Sequence, residues 1–578
     1  MTEYVENLIV GSGFGGSVAA FRLAEADRKV CLLERGRAFG PGDFPRDPWQ
    51  VASSFWDPSE GRHGVFDVWS FRGLDAVVSA GLGGGSLVYA NVLIRKPPEW
   101  FVRFQPFSGG YESWPITRGD LDPHYDRVES MLDAQPFPDG EPGFESVLKT
   151  AAMRDAAKTM GREDDFTLPN LAVTFRPEPG KAPGVGLPIV AGPFKNYHDR
   201  GRLTCTLCGQ CDLGCNAGAK NTLDHTYLSA AQHHGADIRV RSEVRRIARA
   251  GDGEGYLVSY VTHSDSPDDG RSRDTKALEE MHIRCRRLFL AAGSLGTTYL
   301  LLRSRDDLPG LSATALGTRF SGNGDFLSVL KGARRRDGSV RPVHASVGPV
   351  ITSTLRTRDA LETRSGEMRG SYVQEAGYPM VVNWLAEARY GMTWRLLVFG
   401  VHRILAQLSR NPKSQLGNAL ANVMGDGATA ASSTPLLGMG RDVPDGVMRL
   451  NGRNFLTIKT NSRSSKAYYA GVREQMEALA RALDAELVDG FWTTLRRSVT
   501  VHPVGGAPMG ASVHEAVCDH QGEVFGLDNL FVCDGAAMPG PIGPNPSLTI
   551  AAFSDRMAEA VIEGRTRSPL RPLSAAAS

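Results

Sequence analysis

The sequence predicts an α/β fold organised around a Rossmann-like dinucleotide-binding domain, and three stretches carry that prediction. First, the apolar run Leu8-Ile9-Val10 leads into Gly11-Ser12-Gly13-Phe14-Gly15-Gly16. SVAAFRLAEA then keeps helical spacing, and KVCLLERG reads as a second strand ending at Glu34. In this pattern Gly11 permits the tight turn, Gly13 lets backbone approach a pyrophosphate, and Gly16 lets the helix pack closely on the strand. The helix N-terminus presents partial positive charge to that pyrophosphate, and an acid at Glu34 can accept hydrogen bonds from ribose hydroxyls. Second, RRLFLAAGS within residues 286–305 is an apolar strand that ends in a glycine turn and a helix. Third, LFVCD leads through a proline-glycine loop into a long amphipathic helix that opens near Pro546-Ser547. The motif alone does not separate FAD from NAD.

A chain of 578 residues is too long for one simple core, so two or more domains are expected. With 65 basic against 64 acidic residues there is no electrostatic footprint for nucleic acid. Glycine, at 65 residues, exceeds the usual share of about 7%, and its clusters mark places where backbone approaches a ligand. The first residues show no basic n-region or cleavage site, and no apolar run reaches about 18 residues. The expected location is therefore cytoplasmic, where thiols stay reduced unless they hold a metal. Residues 566–578 read as a disordered tail.

A second glycine cluster, Gly81-Leu82-Gly83-Gly84-Gly85-Ser86, and the C-terminal segments VHPVGGAPMG (501–510) and 529–562 extend the pattern. Together with LGTRFSGNGDF (316–326) they resemble the glucose–methanol–choline (GMC) oxidoreductases, and within them the cholesterol-oxidase-like branch. The resemblance covers nearly the whole chain and is most specific where HPxGG, D-G-x-x-x-P and N-P-x-x-T-I recur. It implies FAD and a discontinuous FAD-binding domain (1–100, 201–325 and 495–565). An inserted α+β substrate-binding domain with its excursions would occupy 101–200 and 326–494.

The resemblance also names candidate residues. His502 matches the histidine that handles the hydroxyl proton, a task that suits imidazole near neutral pH. Asn545 matches the asparagine paired with it, which holds the substrate hydroxyl or the flavin. Glu375, in SYVQEAGYPM, is set against the glutamate that serves steroid double-bond isomerisation. In an apolar cavity its pKa would rise, while the alternative is a solvated surface glutamate. Asp534 and Gly535 match flavin ribityl-phosphate contacts, and Gly84, Gly85 and Ser86 match the second family motif. Tyr89 departs from the family, whose asparagine is found two residues later here, at Asn91. The wall beside the flavin is therefore expected to differ.

Four of the eight cysteines, Cys205, Cys208, Cys211 and Cys215, fall in CTLCGQCDLGC. The spacing C-x2-C-x2-C-x3-C equals the bacterial ferredoxin run, except that Asn216 replaces the usual proline. Three readings stand: an iron–sulfur cluster (3Fe-4S or 4Fe-4S), a four-thiolate zinc or structural thiol knot, and disulfides. Some sugar dehydrogenases of the GMC superfamily carry a cluster near this point. Residues 392–408, MTWRLLVFGVHRILAQL, read either as a helix packed on the domain core or as an apolar lid that touches membrane transiently.

The expected function is FAD-dependent oxidation of an alcohol on a bulky apolar substrate, with a sterol 3-hydroxyl as the leading candidate and isomerisation as an associated step. Oxygen or an electron-transfer protein would accept the electrons. The alternatives are a dehydrogenase passing electrons through an iron–sulfur site to a protein or quinone, a redox-neutral FAD-dependent isomerase or cyclase, and a non-catalytic electron carrier.

Overall fold

The computed structural model describes residues 2–102, 112–190, 192–251, 253–264, 271–312, 314–364, 368–378, 428–461, 463–490 and 497–567. The segment 392–408 and residues 568–578 lie outside them.

The central sheet has seven strands. Asp237–Arg239, Val30–Leu33, Glu3–Val10 and Glu280–Leu290 lie side by side in parallel, and Leu530–Val532 pairs in parallel with the end of Glu280–Leu290. Tyr256–Thr262 and Ser242–Arg249 extend the sheet as antiparallel strands from the first half of Glu280–Leu290. Leu8–Val10, Val30–Leu33, Leu288–Leu290 and Leu530–Val532, the stretches that lead to the carboxyl ends of these strands, are apolar and buried, as expected where helices cover both faces.

Register decides where the site falls. Val10 is paired with both Leu33 and Leu290, and Leu290 is paired with Val532. The four strands therefore end level, which puts Gly11, Glu34, Ala291 and Cys533–Asp534 along one carboxyl edge. In open α/β sheets that edge is where ligands bind.

The helix Phe14–Glu25 packs on the C-terminal helix Ser547–Ile562, at the position expected for its opening. The Ser554 hydroxyl donates to the Gly15 carbonyl at 2.6 Å, and Arg22 pairs with the buried Asp555. A side chain at Gly15 would place its Cβ 2.0 Å from the Cys533 carbonyl oxygen, so only glycine permits this approach.

The second sheet has six antiparallel strands in the order Glu486–Asp489, Phe326–Lys331, Thr434–Gly440, Ser371–Glu375, Thr354–Thr357, Phe166–Thr167. Helices Leu148–Thr159 and Lys466–Ala482 bury Ala152, Met153, Ala156, Val472, Met476 and Leu479 against it. The latter helix falls where apolar spacing over 464–484 predicts one.

A smaller sheet links the two. The hairpin Phe66–Phe71 and Leu74–Ser79 accepts Ser498–Thr500 in parallel, with Thr500 opposite Ala76. The second glycine cluster follows one of these strands directly and His502 follows another, so this pairing carries both to the same end. Among the described residues no helix is long and apolar enough to cross a membrane.

Candidate active site

The two glycine clusters face each other. Gly84 has φ +53°, and a Cβ there would lie 2.7 Å from the Gly13 α-carbon. A Cβ at Gly11 (φ +98°) would lie 2.4 Å from the Ala291 carbonyl oxygen, and one at Gly16 would lie 1.9 Å from the Gly11 carbonyl oxygen. At Gly13 and Gly85, by contrast, a Cβ would meet nothing within 4 Å. Backbone therefore lines open space at these two positions, the arrangement a pyrophosphate cradle needs.

Glu34 is buried at the strand end. One carboxylate oxygen accepts from the Ser12 N–H at 3.0 Å and the Ser12 hydroxyl at 2.6 Å, and the other accepts from the Gly36 N–H at 2.8 Å. Three of about four acceptor sites are used, which leaves room for a ribose hydroxyl. Ser12 Oγ in turn accepts from the Gly83 N–H at 3.0 Å, which joins the two glycine turns.

Asn91 is fully buried with φ +68°, and among the described residues neither its side-chain amide nitrogen nor its amide oxygen has a hydrogen-bond partner. Native proteins rarely leave such groups unpaired, at a cost of about 1–3 kcal/mol each. The cradle and this orphan amide both fit a bound dinucleotide. Ser86 Oγ donates to the Gly83 carbonyl at 2.8 Å and accepts from the Leu223 N–H at 3.0 Å, so its role is to hold the turn.

Asp534 sits beneath the cradle and is buried. Its oxygens accept from the Gly293 N–H at 2.8 Å, the Thr297 hydroxyl at 2.5 Å and the Ala536 N–H at 2.8 Å. Burial pushes its pKa up to about 6. It thus fastens the start of helix Gly293–Arg303 to the turn after Val532, and the Gly535 carbonyl beside it accepts from the Gly505 N–H at 2.8 Å.

His502 is held by a residue that the sequence reading left unassigned. Its Nδ1 lies 2.7 Å from Asp325 Oδ1, and the buried Asp325 Oδ2 accepts from the Val501 N–H (2.8 Å), the His502 N–H (3.2 Å) and the Thr500 hydroxyl (3.0 Å). The carboxylate fixes the tautomer: Nδ1 carries the proton and Nε2 is left as an acceptor. Nε2 has no partner among the described residues.

Asn545 is buried and exchanges hydrogen bonds with Gln374, at 3.0 Å from Gln374 Nε2 to Asn545 Oδ1 and 3.4 Å in return. The turn Ser321–Asp325 ties the two loops together. Asn323 (φ +54°) accepts from the Gly543 N–H at 2.8 Å and donates to the Gly543 and Pro544 carbonyls. Two residues on, Asp325 holds His502. The segment SGNGDF announces a turn; which distant loops it clamps is settled only by folding.

Glu375 needs a correction of environment. It is fully buried, which excludes the solvated surface group, and polar donors line its carboxyl group where an apolar cavity was expected. Oε1 accepts from the Thr352 N–H (2.9 Å), the Thr352 hydroxyl and the Ser353 N–H (3.0 Å), while Oε2 accepts from the Ser353 hydroxyl (2.7 Å). Four donors converge on its two oxygens, so the end of strand Ser371–Glu375 is tied to the Thr352–Ser353 segment.

All four cysteines of the run are free thiols, so the disulfide reading is not what the structure shows. Among the described residues no three of their sulfurs converge within 4.8 Å, the closeness a tetrahedral zinc cage requires. The buried Lys220 Nζ donates to the Cys211 carbonyl at 3.0 Å and to the Leu87 and Tyr89 carbonyls at 3.1 and 2.9 Å. On the other side, the Gly209 N–H donates to the Gly348 carbonyl at 3.0 Å. The run therefore lies between the second glycine loop and the second sheet.

A dinucleotide cradle at a parallel-sheet edge, in a chain that also holds an imidazole oriented by a carboxylate, is the arrangement of a dinucleotide-dependent oxidoreductase. Family profiles described as GMC oxidoreductase match residues 194–311 and 443–554, and one for NAD(P)-binding Rossmann-like domains matches 9–44. A cholesterol oxidase from Mycobacterium tuberculosis is 30% identical over 95% of this chain and 90% of its own length. A cholesterol oxidase from Acinetobacter baumannii is 28% identical, over 95% and 93%. The fold is shared with pyridoxine 4-oxidase from Mesorbium loti, at TM-score 0.53 and 18% identity over 96% of this chain and 98% of that one. The chain belongs to the GMC oxidoreductases, in the cholesterol-oxidase-like branch, and is an FAD-dependent enzyme acting on alcohols.

Proposed function

We propose that the enzyme oxidises the hydroxyl group of a bulky apolar alcohol, a sterol 3-hydroxyl foremost, to the carbonyl, with molecular oxygen accepting the electrons. The observation that carries this reading is the His502–Asp325 pair, which offers Nε2 as a proton acceptor. Bound in the cradle, FAD supplies the acceptor for the hydride that leaves the carbinol carbon. His502 Nε2 takes the hydroxyl proton, and Asp325 stabilises the imidazolium that results. Asn545, steadied by Gln374, orients the substrate oxygen, and the N-terminus of helix Ser547–Ile562 favours negative charge where the flavin ring would lie. Cholesterol-oxidase relatives support the sterol and oxygen assignments. With its carboxylate held by Thr352 and Ser353, Glu375 is proposed as a structural lock, and oxidation alone as the core reaction.

Anaerobic mixing with a sterol, a long-chain primary alcohol and a sugar tests this by flavin bleaching. The sterol should reduce the flavin fastest, with bleaching lost in His502→Ala; preference for the sugar refutes the assignment. Turnover without any acceptor would point to the redox-neutral alternative.

The position of the cysteine run favours a second reading, in which an iron–sulfur cluster held by Cys205, Cys208, Cys211 and Cys215 takes electrons onward to a protein acceptor. The run is one lysine away from the second glycine loop, through Lys220. Iron and acid-labile sulfide at three to four per flavin in anaerobically purified enzyme would favour it; flavin without iron would exclude it.

A further inference from the structure

We propose that His198, Asp224 and His225 form a binding site for a divalent first-row transition metal of the zinc class, separate from the flavin and from the cysteine run. One ligating atom from each of the three lies within 4.8 Å of the others, and among the described residues no other group of three or more His, Cys, Asp or Glu does so. The side chains of His198 and Asp224 are 7% and 1% exposed, with His198 Nε2 2.5 Å from Asp224 Oδ2. The two imidazoles stand edge to face, with centroids 5.2 Å apart.

Two atoms in this cluster point to a ligand. Asp224 Oδ1 and His225 Nδ1 are both buried and have no hydrogen-bond partner among the described residues. Leaving each unsatisfied costs about 1–3 kcal/mol, and a cation shared by the two would remove that cost. Two imidazoles and a carboxylate suit zinc and its neighbours in the first row. The nearby Arg202 opposes a cation, but its guanidinium is engaged by the Gly218 and Lys220 carbonyls and Asn221 Oδ1.

The location gives the site a purpose. A Cβ at Gly83 would lie 3.2 Å from Asp224 Oδ1, and one at Gly40 would lie 3.1 Å from the His198 ring. A metal there would clamp the irregular loop around residue 198 to the back of the second glycine turn, without touching the reacting atoms.

The test is zinc titration of chelator-treated, FAD-loaded enzyme by calorimetry, with zinc X-ray absorption on the product. The expected result is one zinc per chain with nitrogen or oxygen neighbours at about 2.0–2.2 Å. Affinity should fall at least tenfold in His225→Ala and in His198→Gln. The glutamine can still donate to Asp224, so the fold and flavin content should survive. Sulfur neighbours at about 2.3 Å would place the zinc on the cysteines and overturn the proposal. So would unchanged affinity in both variants, or no stoichiometric binding by the parent enzyme.

Discussion

Replacing Asp325 by asparagine should disable the enzyme without dismantling it, and the geometry says why. Asp325 Oδ2 is surrounded by three donors, the Val501 and His502 N–H groups and the Thr500 hydroxyl. Asparagine is nearly the same shape, but only its oxygen can face that cluster. Its NH2 must then face His502 Nδ1, which sits 2.7 Å from the other carboxylate oxygen. A donor there forces the imidazole to accept at Nδ1 and carry its proton on Nε2, so the atom meant to take the substrate proton becomes a donor. A correctly placed base contributes about 10²–10⁴ in rate. Flavin reduction at saturating substrate should fall by about that factor while the substrate concentration for half-maximal rate changes little. Stability should drop by about 1.5–3 kcal/mol, the scale of one hydrogen bond to a charged group. Anaerobic stopped-flow bleaching measures the rate, and flavin absorbance with thermal melting checks loading and fold. A fully loaded Asp325→Asn enzyme that reduces its flavin within about threefold of the parent rate would refute the argument, because tautomer control would then contribute nothing measurable.

Three further outcomes follow from the same geometry. Gly13→Ala puts a methyl group into open space, so the protein should fold normally but lose most of its FAD; Gly15→Ala, 2.0 Å from the Cys533 carbonyl oxygen, should fail to fold. Equal flavin content in Gly13→Ala and the parent would contradict the cradle. Glu375→Gln turns an NH2 group onto the donors of Thr352 and Ser353. It should destabilise by about 1–3 kcal/mol in chemical denaturation, with alcohol oxidation by the folded fraction unchanged. Burial pulls the Lys96 pKa down to about 7, with its Nζ donating to the Pro541 and Ile542 carbonyls. The unfolded chain binds more protons above that pH, so this lysine makes stability rise from about pH 7 towards pH 10; Lys96→Met should flatten part of that rise in melting temperature.

The fold was legible where function compresses into short local patterns. The Gly11–Gly16 turn, its helix and the strand ending at Glu34 are contiguous, and each step is fixed by local sterics, so periodicity and glycine placement sufficed. The same holds for the helices at 466–482 and 547–562. The partners of the site residues were not legible, because each comes from a segment far away in the chain. Asp325 stands 177 residues from His502 and Gln374 stands 171 from Asn545. No spacing rule links such pairs. Glu375 shows the complementary failure: the sequence offers an acid at the end of a strand, but whether it faces a cavity or a ring of donors depends on Thr352 and Ser353, brought beside it by the neighbouring strand Thr354–Thr357.

Those distant partners also explain why the catalytic loops can be so rich in glycine and proline. Flexible-looking segments such as VHPVGG and GPIGPNPS gain no rigidity from their own hydrogen bonding. They are held from outside, by Gly535, Gln374 and Lys96 and by the turn Ser321–Asp325, whose asparagine grips the Gly543 loop and whose aspartate grips His502. That turn opens the strand Phe326–Lys331 of the second sheet. Strain applied to the second sheet is therefore transmitted to the imidazole and to the Asn545 loop together, not to one alone. Substitutions in that sheet that shift Phe326 should change the orientation of proton acceptor and substrate amide in concert. In the proposed reaction this arrangement would keep the two groups matched to one hydroxyl whatever the pocket around the rest of the alcohol.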